Sequence, residues 1–310
     1  MVKKIKLYNN FKISKLYQKA ILLIGNFDGL HLGHQKLFKL AEQFKKKNKI
    51  KLGVLTFDPI PKMFFNKNLK NYRILNFNQK IKYFKDYNVD FIIVKKFDKQ
   101  FSRIKCSNFI DQILYKKLNA KYIFVSNNFR FGNKRKGNVK LLKSLEKKYQ
   151  YKIINPKPLK KKNKIISSTL IRKLLSKGNL DKANKYLNRN WSIEGLVQKG
   201  RMMGKKIGFP TCNLELQKYV IPKIGVYAVK IYLEKRKTFL RGIANLGYRP
   251  TFNQKKILLE VNIFNFSGNL YNKKLRVDFV KFIRKEKKFK GIDQLRKQIN
   301  FDLKVAKQTN

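Results

Sequence analysis

The hydrophobic pattern of this chain changes near residue 187, and the change limits what each part can fold into. Before that point, short apolar runs alternate with stretches in which apolar residues recur at helical spacing. After it, apolar runs follow one another with glycine-containing turns between them and one helical stretch near the end. We therefore predict two domains, residues 1–186 and 187–310, because 310 residues are enough for two separate cores.

The first domain is predicted to be an α/β fold with a Rossmann-like parallel sheet. Strands that alternate with helices pair in parallel and are covered on both faces. In such sheets ligands bind beyond the carboxyl ends of the strands. The expected strands are 20–24, 51–57, 91–94, 121–126 and 151–154, and the expected helices are 35–44, 78–87, 107–118 with Ser107 as its cap, and 138–148.

The second domain is predicted to be a small antiparallel barrel or sandwich. Successive short strands without intervening helices are typical of these folds. The expected strands are 191–197, 226–233, 239–246, 258–264 and 275–282, followed by a helix at 292–303.

Both histidines of the chain, His31 and His34, lie in one turn between the first strand and the first helix. Gly25, Gly29 and Gly33 lie in the same turn. A helix N-terminus presents unpaired N–H groups, and glycines let the backbone approach a ligand closely. The segment therefore predicts a phosphate site.

Three interpretations of the histidine pair remain open. Imidazoles at positions i and i+3 can donate to phosphoryl oxygens as negative charge develops there. They could instead hold a metal ion, with Asp28 as the first candidate for a further ligand, although a metal site needs more ligands than the two histidines. They could also be structural, but packing does not account for the three glycines beside them.

A second phosphate-compatible helix start follows at Ser167, Ser168 and Thr169, with Arg172 one turn later. The hydroxyl groups are good helix caps. The alternative is a cluster of hydroxyl and N–H groups that binds phosphate together with the arginine.

The second domain contains a glycine-rich segment with Gly200, Gly204 and Gly208, followed by Thr211 and Asn213. Two interpretations are open: an ordinary hairpin loop, or a mobile loop over a nucleotide. In the second case a hydroxyl and an amide oxygen at 211 and 213 are suitable ligands for the Mg²⁺ that accompanies ATP.

Glu260 is an acidic residue inside an otherwise apolar predicted strand. It either pairs with a lysine or is a desolvated carboxylate that serves as a general base.

The formal net charge of +58 would ordinarily indicate a nucleic-acid partner. The lysines are spread over the whole chain and accompany many Asn, Ile, Phe and Tyr residues, all of which have A- and T-rich codons. A base-composition bias explains these residues together, so we expect no specific nucleic-acid partner. No apolar run spans a membrane and no signal sequence is evident, so a cytoplasmic protein is expected.

These motifs together resemble those of the bifunctional prokaryotic riboflavin kinase/FMN adenylyltransferase family over nearly the whole chain. In the first domain the matching segments are 25–34, 56–59, 129–132 and 167–172. In the second they are 208–213, 225–227, 245–251, Glu260, and 282–284 followed by Phe289.

The resemblance implies a nucleotidyltransferase-like first domain with FMN adenylyltransferase activity and a β-barrel riboflavin kinase domain with a C-terminal helix. It implies that ATP and Mg²⁺ are used to make FMN from riboflavin and then FAD from FMN. Glu260, His31 and His34 are the catalytic candidates, and Thr211 and Asn213 are the metal candidates. The candidates for binding ATP or phosphate are Gly25, Asn26, Phe27, Asp28, Gly29, Gly33, Ser168, Thr169, Arg172, Gly200, Gly204 and Gly208; those for binding flavin are Asn128, Phe129 and Arg284.

Several positions depart from the usual pattern of that family. Ser126-Asn127-Asn128 replaces a common Gly-Asp-Asp, Ile60 and Asn262 replace common histidines, and Asn269 and Asn272 replace Asp and Gly. A member that retains only one activity is therefore an alternative, and a basic nucleic-acid-binding protein is another. A monomer or weak homo-oligomer is expected.

Overall fold

A computed structural model describes residues 5–199, 204, 207–234, 236, 238–250 and 255–309, with the backbone alone at 249, 250, 255 and 256. Gly200, predicted to bind phosphate, and Thr251 of the 245–251 motif lie outside the described residues. The chain forms two compact units. The first comprises Met1–Lys70 and Phe77–Ser167, and the second comprises Asn71–Asn76 and Ser168–Asn310.

The first unit contains a six-stranded sheet in which all neighbouring strands are parallel. Its strands are β1 Lys6–Tyr8, β2 Ile21–Ile24, β3 Leu52–Asp58, β4 Phe91–Lys96, β5 Tyr122–Phe124 and β8 Lys152–Ile154, in the order β1-β4-β3-β2-β5-β8. Two short pairs lie outside it: β6 Arg130–Phe131 with β7 Gly137–Asn138, and β9 Lys160–Lys161 with β10 Lys164–Ile165. The predicted parallel α/β fold is confirmed.

Helices connect the strands of this sheet, as the alternating pattern predicted. They are α1 Leu32–Asn48, α2 Pro61–Phe65, α3 Phe77–Lys85, α4 Lys99–Ser102, α5 Cys106–Asn108, α6 Val139–Ser144 and α7 Glu146–Tyr149, with 3-10 turns at Lys15–Tyr17 and Asn133–Arg135. The helix expected at 107–118 begins at Cys106, with Lys105 rather than Ser107 as its cap, and continues as the π-helix Phe109–Lys117. Wider turns bring Phe109, Ile110, Ile113 and Leu114 to the buried side.

Apolar side chains from both faces of the sheet form the core of the first unit. β2 is buried at every position, because it lies in the middle of the sheet under helices on both faces. The same holds for Val54 and Leu55 of β3 and for Ile92 and Ile93 of β4. A rigid sheet of this kind fixes the positions of the turns at its carboxyl edge.

The second unit begins with two helices, α8 Ser168–Ser176 and α9 Leu180–Leu187, and includes the separate segment Asn71–Asn76. That segment is bound to the rest of the unit by backbone hydrogen bonds from Tyr72 and Arg73 to the carbonyl oxygen of Lys218. The indole Nε1 of Trp191 donates to the carbonyl oxygen of Ile74 at 2.9 Å. The compact unit therefore takes in residues on the N-terminal side of the boundary predicted at 186/187.

A closed antiparallel barrel of six strands forms the body of the second unit, so the barrel alternative is confirmed. Its strands are β11 Trp191–Gln198, β12 Cys212–Glu215, β13 Gly225–Leu233, β14 Leu240–Pro250, β15 Lys255–Ile263 and β16 Lys274–Arg284, in the order β11-β12-β15-β14-β13-β16. The strand β12 was not predicted, because four residues after a glycine-rich loop give too little periodicity. Without β12 the barrel would be open between β11 and β15.

The C-terminal helix α10, Ile292–Lys307, was expected from the sequence. Its residue Ala306 packs with Ala228 and Ile243, which lie on the outer face of the barrel. Alternate barrel residues such as Tyr227, Val229 and Ala244 fill the interior. α10 therefore covers part of the outer face of the barrel.

None of the helices within the described ranges combines the length and the apolarity that a membrane span requires.

Candidate functional site

The glycine-rich turn of the first unit leaves the carboxyl end of β2. β3 and β4 lie on one side of β2, and β5 and β8 lie on the other, so the strand order reverses at this point. In open α/β sheets the crevice at such a reversal is the usual place for a ligand. The turn, residues 25–31, therefore lies where the sequence predicted a binding site.

The backbone of this turn adopts left-handed conformations at three neighbouring positions. Phe27, Gly29 and Leu30 have φ values of 47°, 83° and 37°. Such values are unfavourable for residues with a Cβ and persist only where the surroundings hold them. Gln35 contributes to holding the turn, because its side-chain Nε2 donates to the carbonyl oxygen of Leu30 at 2.9 Å.

The two histidines of the turn lie ring against ring. His31 is the residue before α1 and His34 is in its first turn. Their ring centroids are 3.8 Å apart and the ring planes differ by 22°. The edge of the Phe27 ring packs against His34 at 5.3 Å between centroids. The imidazoles therefore form one stacked unit at the start of a helix.

The pKa of His34 lies well below its ordinary value. Burial is the largest cause, and the charges of His31 and Lys80 lower the pKa further. The Nδ1 atom of His34 is buried and has no hydrogen-bond partner among the described residues. His34 is therefore neutral at neutral pH, and a neutral imidazole carries one N–H donor.

Asn26 and Asp28 line the same turn. The side-chain Oδ1 of Asn26 is buried and lacks a hydrogen-bond partner in the described part of the chain. Asp28 is also a buried residue. A Cβ at Gly33 would lie 3.2 Å from the His31 ring and 3.3 Å from the carbonyl oxygen of Ile166, so a side chain there would crowd the site.

Lys80 and Thr56 contact this turn from neighbouring elements. Thr56 belongs to the motif 56–59 but was assigned no role, and Lys80 was not identified from the sequence. The Nζ atom of Lys80 donates to the carbonyl oxygen of Asn26 at 2.9 Å and is 3.5 Å from the Thr56 hydroxyl. The Thr56 hydroxyl donates to the same carbonyl oxygen at 3.4 Å. For Lys80 the available signal was a pair of polar residues, Gln79 and Lys80, that the helix buries together with Phe84.

Asn128 and Phe129, predicted to contact flavin, follow β5. Because β5 is the parallel neighbour of β2, these residues leave the sheet at the same edge as the glycine-rich turn. The Ser126 hydroxyl donates to Oδ1 of Asn128 at 2.9 Å, and the Phe129 ring stacks on Phe131 with centroids 5.5 Å apart. Their role toward flavin stays a prediction.

Ser168, Thr169 and Arg172 belong to the second compact unit. Ser168 is the first residue of α8. The Nε atom of Arg172 donates to the carbonyl oxygen of Tyr72 at 2.8 Å, and its guanidinium lies 3.6 Å from the centroid of the Tyr72 ring. Their predicted role as phosphate ligands stays a prediction.

A row of polar residues crosses the outer face of the barrel in the second unit. Glu260 of β15 lies between Asn213 of β12 and Asn245 of β14, since it is paired in register with both. The intervening residues of these strands, such as Leu214 and Leu259, point into the core. Strand alternation therefore places the carboxylate and two amides side by side on the outer face of the barrel.

Asn213 is the most buried member of this row, with 8% of its surface exposed. Its side-chain Oδ1 has no hydrogen-bond partner within the described residues. Thr211, two residues earlier, is exposed. A buried oxygen without a donor costs free energy unless a ligand or ion satisfies it.

The loop before Thr211 turns back on itself at Gly204. The backbone N–H of Phe209 donates to the carbonyl oxygen of Gly204 at 2.8 Å. A Cβ at Gly204 would overlap the Phe209 carbonyl and would lie 3.1 Å from the Thr211 hydroxyl, whereas Gly208 has a left-handed φ of 86°. Glycine is required at these two positions for the loop to pass close to Thr211.

Asn262 and Glu286 also contact this region, and sequence reasoning assigned neither of them a role. The Nδ2 atom of Asn262 donates to the carbonyl oxygen of Pro210 at 2.7 Å. The Nδ2 atom of Asn245 donates to Oε1 of Glu286 at 3.3 Å. Asn262 could have been found from the sequence, because the alternation of strand β15 places it on the same face as Glu260.

Arg284, predicted to contact flavin, pairs in register with Val226 at the end of the same row. Its guanidinium forms a bidentate ion pair with Asp302 of α10, with N–O distances of 2.8 to 3.0 Å. Asp302 is 1% exposed. Arg284 therefore ties α10 to the barrel, and any contact with flavin stays a prediction.

No group of three or more His, Cys, Asp or Glu side chains is arranged to hold a metal ion in the described ranges. The predicted metal ligands are a hydroxyl and an amide, at Thr211 and Asn213. The unsatisfied Oδ1 of Asn213 fits a hard cation such as Mg²⁺, which prefers oxygen ligands.

Comparison with known protein families gives two matches, one after the other along the chain. The family model described as FAD synthetase matches residues 13–170, and the one described as riboflavin kinase matches residues 187–310.

A solved structure described as a macrolide-efflux protein from Streptococcus pneumoniae is similar over the whole chain. Its TM-score is 0.85 and its sequence identity is 29%, with 98% of this chain and 99% of that chain covered. The description as a macrolide-efflux protein applies to the Streptococcus pneumoniae protein, and the similarity covers residues of both units.

Three curated relatives share one name, "Bifunctional riboflavin kinase/FMN adenylyltransferase". The relative from Buchnera aphidicola subsp. Schizaphis graminum is 42% identical, with 96% of each chain covered. The one from Haemophilus influenzae is 37% identical with 95% of each covered, and the one from Escherichia coli K12 is 34% identical with 93% of this chain and 92% of the relative covered. This chain therefore belongs to the bifunctional riboflavin kinase/FMN adenylyltransferase family.

Proposed function

We propose that this chain phosphorylates riboflavin with ATP to give FMN and then adenylylates FMN with a second ATP to give FAD and pyrophosphate. The observation that carries the proposal is the placement of Glu260 between two amide side chains, Asn213 and Asn245, in the part of the chain that matches riboflavin kinases. The motifs identified in the sequence form a polar cluster in each unit: the turn with His31 and His34 in the first, and the row with Glu260 in the second.

In the kinase unit, Glu260 accepts the proton of the ribityl 5′-hydroxyl as that oxygen attacks the γ-phosphorus of ATP. The bond from the γ-phosphorus to the bridging oxygen breaks, and ADP leaves. Thr211 and Asn213 hold the Mg²⁺ that accompanies ATP, which offsets the charge of the phosphates. Gly204 and Gly208 allow the preceding loop to approach these phosphates.

In the adenylyltransferase unit, an oxygen of the FMN phosphate attacks the α-phosphorus of ATP and pyrophosphate leaves. This displacement needs no enzymatic nucleophile, so positioning and charge stabilisation account for most of the acceleration. His31 and His34 lie at the start of α1, where their N–H groups and the backbone N–H groups of the helix are suited to bind phosphates.

The proposal also covers the setting of the two reactions. We place both in the cytoplasm, where ATP is supplied, with the chain acting as a monomer or weak homo-oligomer. Its partners are the small molecules riboflavin, FMN and ATP, with Mg²⁺. The charge of +58 attracts the anionic substrates FMN and ATP as well as polyanions, so binding is tested at moderate salt.

Product analysis tests the proposal. The purified chain is incubated with riboflavin, ATP and Mg²⁺, and flavins are separated by chromatography over time. FMN is expected first and FAD later, and FMN with ATP alone is expected to give FAD. Absence of both products under saturating substrates would contradict the proposal.

The same assay decides the alternative of a member with one activity. Asn127 and Asn128 are the reason for testing this alternative, because they place two amides where the family commonly has two carboxylates. Accumulation of FMN without FAD, together with no reaction of FMN with ATP, would establish a kinase alone.

Replacing Asn262 with alanine is expected to weaken ATP binding by the kinase unit. The change removes the hydrogen bond to the Pro210 carbonyl, which fixes the backbone just before Thr211. A hydrogen bond of this kind contributes about 0.5–1.5 kcal/mol, or roughly a 2- to 12-fold rise in KM for ATP. Steady-state kinetics of riboflavin phosphorylation measure it.

Asn300→Ala is the matched control for this variant, since Asn300 is exposed on α10. It is expected to leave the KM for ATP unchanged, and neither variant is expected to alter FAD synthesis from FMN. A normal KM in Asn262→Ala would show that the loop is held by other contacts.

A further inference from the structure

We propose that Lys80 is a positioning residue of the adenylyl-transfer site: its ammonium group fixes the glycine-rich turn through the carbonyl oxygen of Asn26, and its positive charge acts on His34. The inference rests on the proposed function of the first unit. No sequence motif pointed to Lys80, which lies on α3 far from the turn along the chain.

Burial is the first observation. Lys80 is 3% exposed, whereas lysines are almost never fully buried unless their ammonium is bound by partners. The Nζ atom is 2.9 Å from the Asn26 carbonyl oxygen and 3.5 Å from the Thr56 hydroxyl. The ammonium thus joins three elements: α3, the end of β3 and the turn that follows β2.

The conformation of the turn is the second observation. Phe27 and Leu30 have left-handed φ values, 47° and 37°, within a few residues of the carbonyl that Lys80 binds. Gln35 binds the carbonyl of Leu30 at the other end. The turn is therefore held on one side by Lys80 and on the other by Gln35, and these contacts keep it in an unfavourable conformation.

Electrostatics is the third observation. After burial and His31, Lys80 is the next cause that lowers the pKa of His34. The groups that face His34 are His31 on its own element, Lys80 on α3, and the ring of Phe27 in the turn, where the buried Asp28 also lies. Lys80 thus favours the neutral form of His34 while it fixes the turn that precedes it.

The test compares Lys80→Met with Lys80→Arg and with Lys82→Met. Methionine keeps a long apolar stem but removes the charge and the donor, and arginine keeps both. Lys82 is exposed on the same helix, so its replacement is the matched control. FAD synthesis from FMN, riboflavin phosphorylation and the melting temperature are measured for each.

The expected result is a fall in kcat for FAD synthesis of about 10- to 100-fold in Lys80→Met, the size expected when reacting groups are displaced by up to ~1 Å. Lys80→Arg is expected to retain more activity than Lys80→Met, and Lys82→Met to match the unchanged chain. Riboflavin phosphorylation is expected to be unaffected in all three. Full FAD synthesis by a folded Lys80→Met chain would overturn the inference.

A histidine titration separates positioning from general stability. The chain has 2 histidines, so ¹³C-labelled histidine gives two imidazole signals, which His34→Gln assigns. In Lys80→Met the titration midpoint of His34 is expected to move upward, toward its ordinary value, and in Lys80→Arg to stay in place. Lost activity with both histidine titrations unchanged would overturn the inference, because Lys80 would then be needed only for folding.

The outcome is distinguishable from failure of the proposed function. If the unchanged chain makes no FAD from FMN, the proposed function of this unit fails. The titration still decides the placement of Lys80: a shifted His34 midpoint supports it, and an unshifted one overturns it.

Discussion

Riboflavin phosphorylation is expected to fall by about 10²- to 10⁴-fold when Glu260 is replaced by glutamine, the contribution usual for a general base. Glutamine has nearly the same shape but accepts no proton at neutral pH. Because Glu260 is paired in register with Asn213 and Asn245, the amide fits the same place on the barrel without disturbing the interior. The loss is expected in kcat, with KM for ATP little changed, as measured by steady-state kinetics.

Glu234→Gln is the control for this experiment, because Glu234 is an exposed carboxylate of the same unit, directly after β13. It is expected to phosphorylate riboflavin at the normal rate. FAD synthesis from supplied FMN is expected to be normal in both variants. If Glu260→Gln keeps its kcat, the carboxylate is structural, and the lysine-pairing interpretation of Glu260 gains support.

The double replacement His31→Ala with His34→Ala is expected to lower FAD synthesis from FMN by at least about 10²- to 10³-fold, the usual cost of removing one preorganised donor to a developing charge. The imidazoles stack on each other at the start of α1, so the two replacements remove the whole stacked unit. Riboflavin phosphorylation is expected to continue normally in the same sample.

Gln43→Ala, an exposed position on the same helix, serves as the control for folding of α1. It is expected to keep both activities. Undiminished FAD synthesis by the double histidine variant would show that the turn binds through its backbone alone or that the pair is structural.

The pH dependence follows from the lowered pKa of His34. A group whose pKa is below its ordinary value of 6.5 stays neutral as the pH falls from 8 to 6.5. The rate of FAD synthesis is therefore expected to show no loss from protonation of His34 over that interval. In Lys80→Met, where the midpoint moves upward, any loss on acidification is expected to begin at a higher pH.

The general architecture could be predicted because periodicity alone distinguishes the two units. β2 was recognised because it is an unbroken apolar run, and the longer strands of the barrel because they have the residues needed to show a pattern. The strand β12 was missed because its four residues, Cys212–Glu215, show two apolar residues at most and follow a glycine-rich loop. Its pairing with β15 depends on barrel closure, which is a property of the whole unit and not of the local sequence.

The site could be predicted where chemistry is concentrated in a short segment. His31 and His34 are neighbours in sequence, and helix geometry makes them neighbours in space. Lys80 could not be found in this way, because its contact with Asn26 joins residues 54 positions apart. The ion pair of Arg284 with Asp302 could not be predicted either, because it joins a barrel strand to α10, and the flavin contact suggested by the motif stays a prediction.

Residues Asn71–Asn76 have a consequence for how this protein can be divided or assembled. They are flanked on both sides by the first unit, yet they supply the Ile74 carbonyl to Trp191 and the Arg73 carbonyl to the N–H of Val220. A gene split at residue 187 would leave the barrel without this segment and without α8 and α9. During synthesis on the ribosome the segment emerges long before the barrel does, so the second unit completes its core with a piece of chain made earlier.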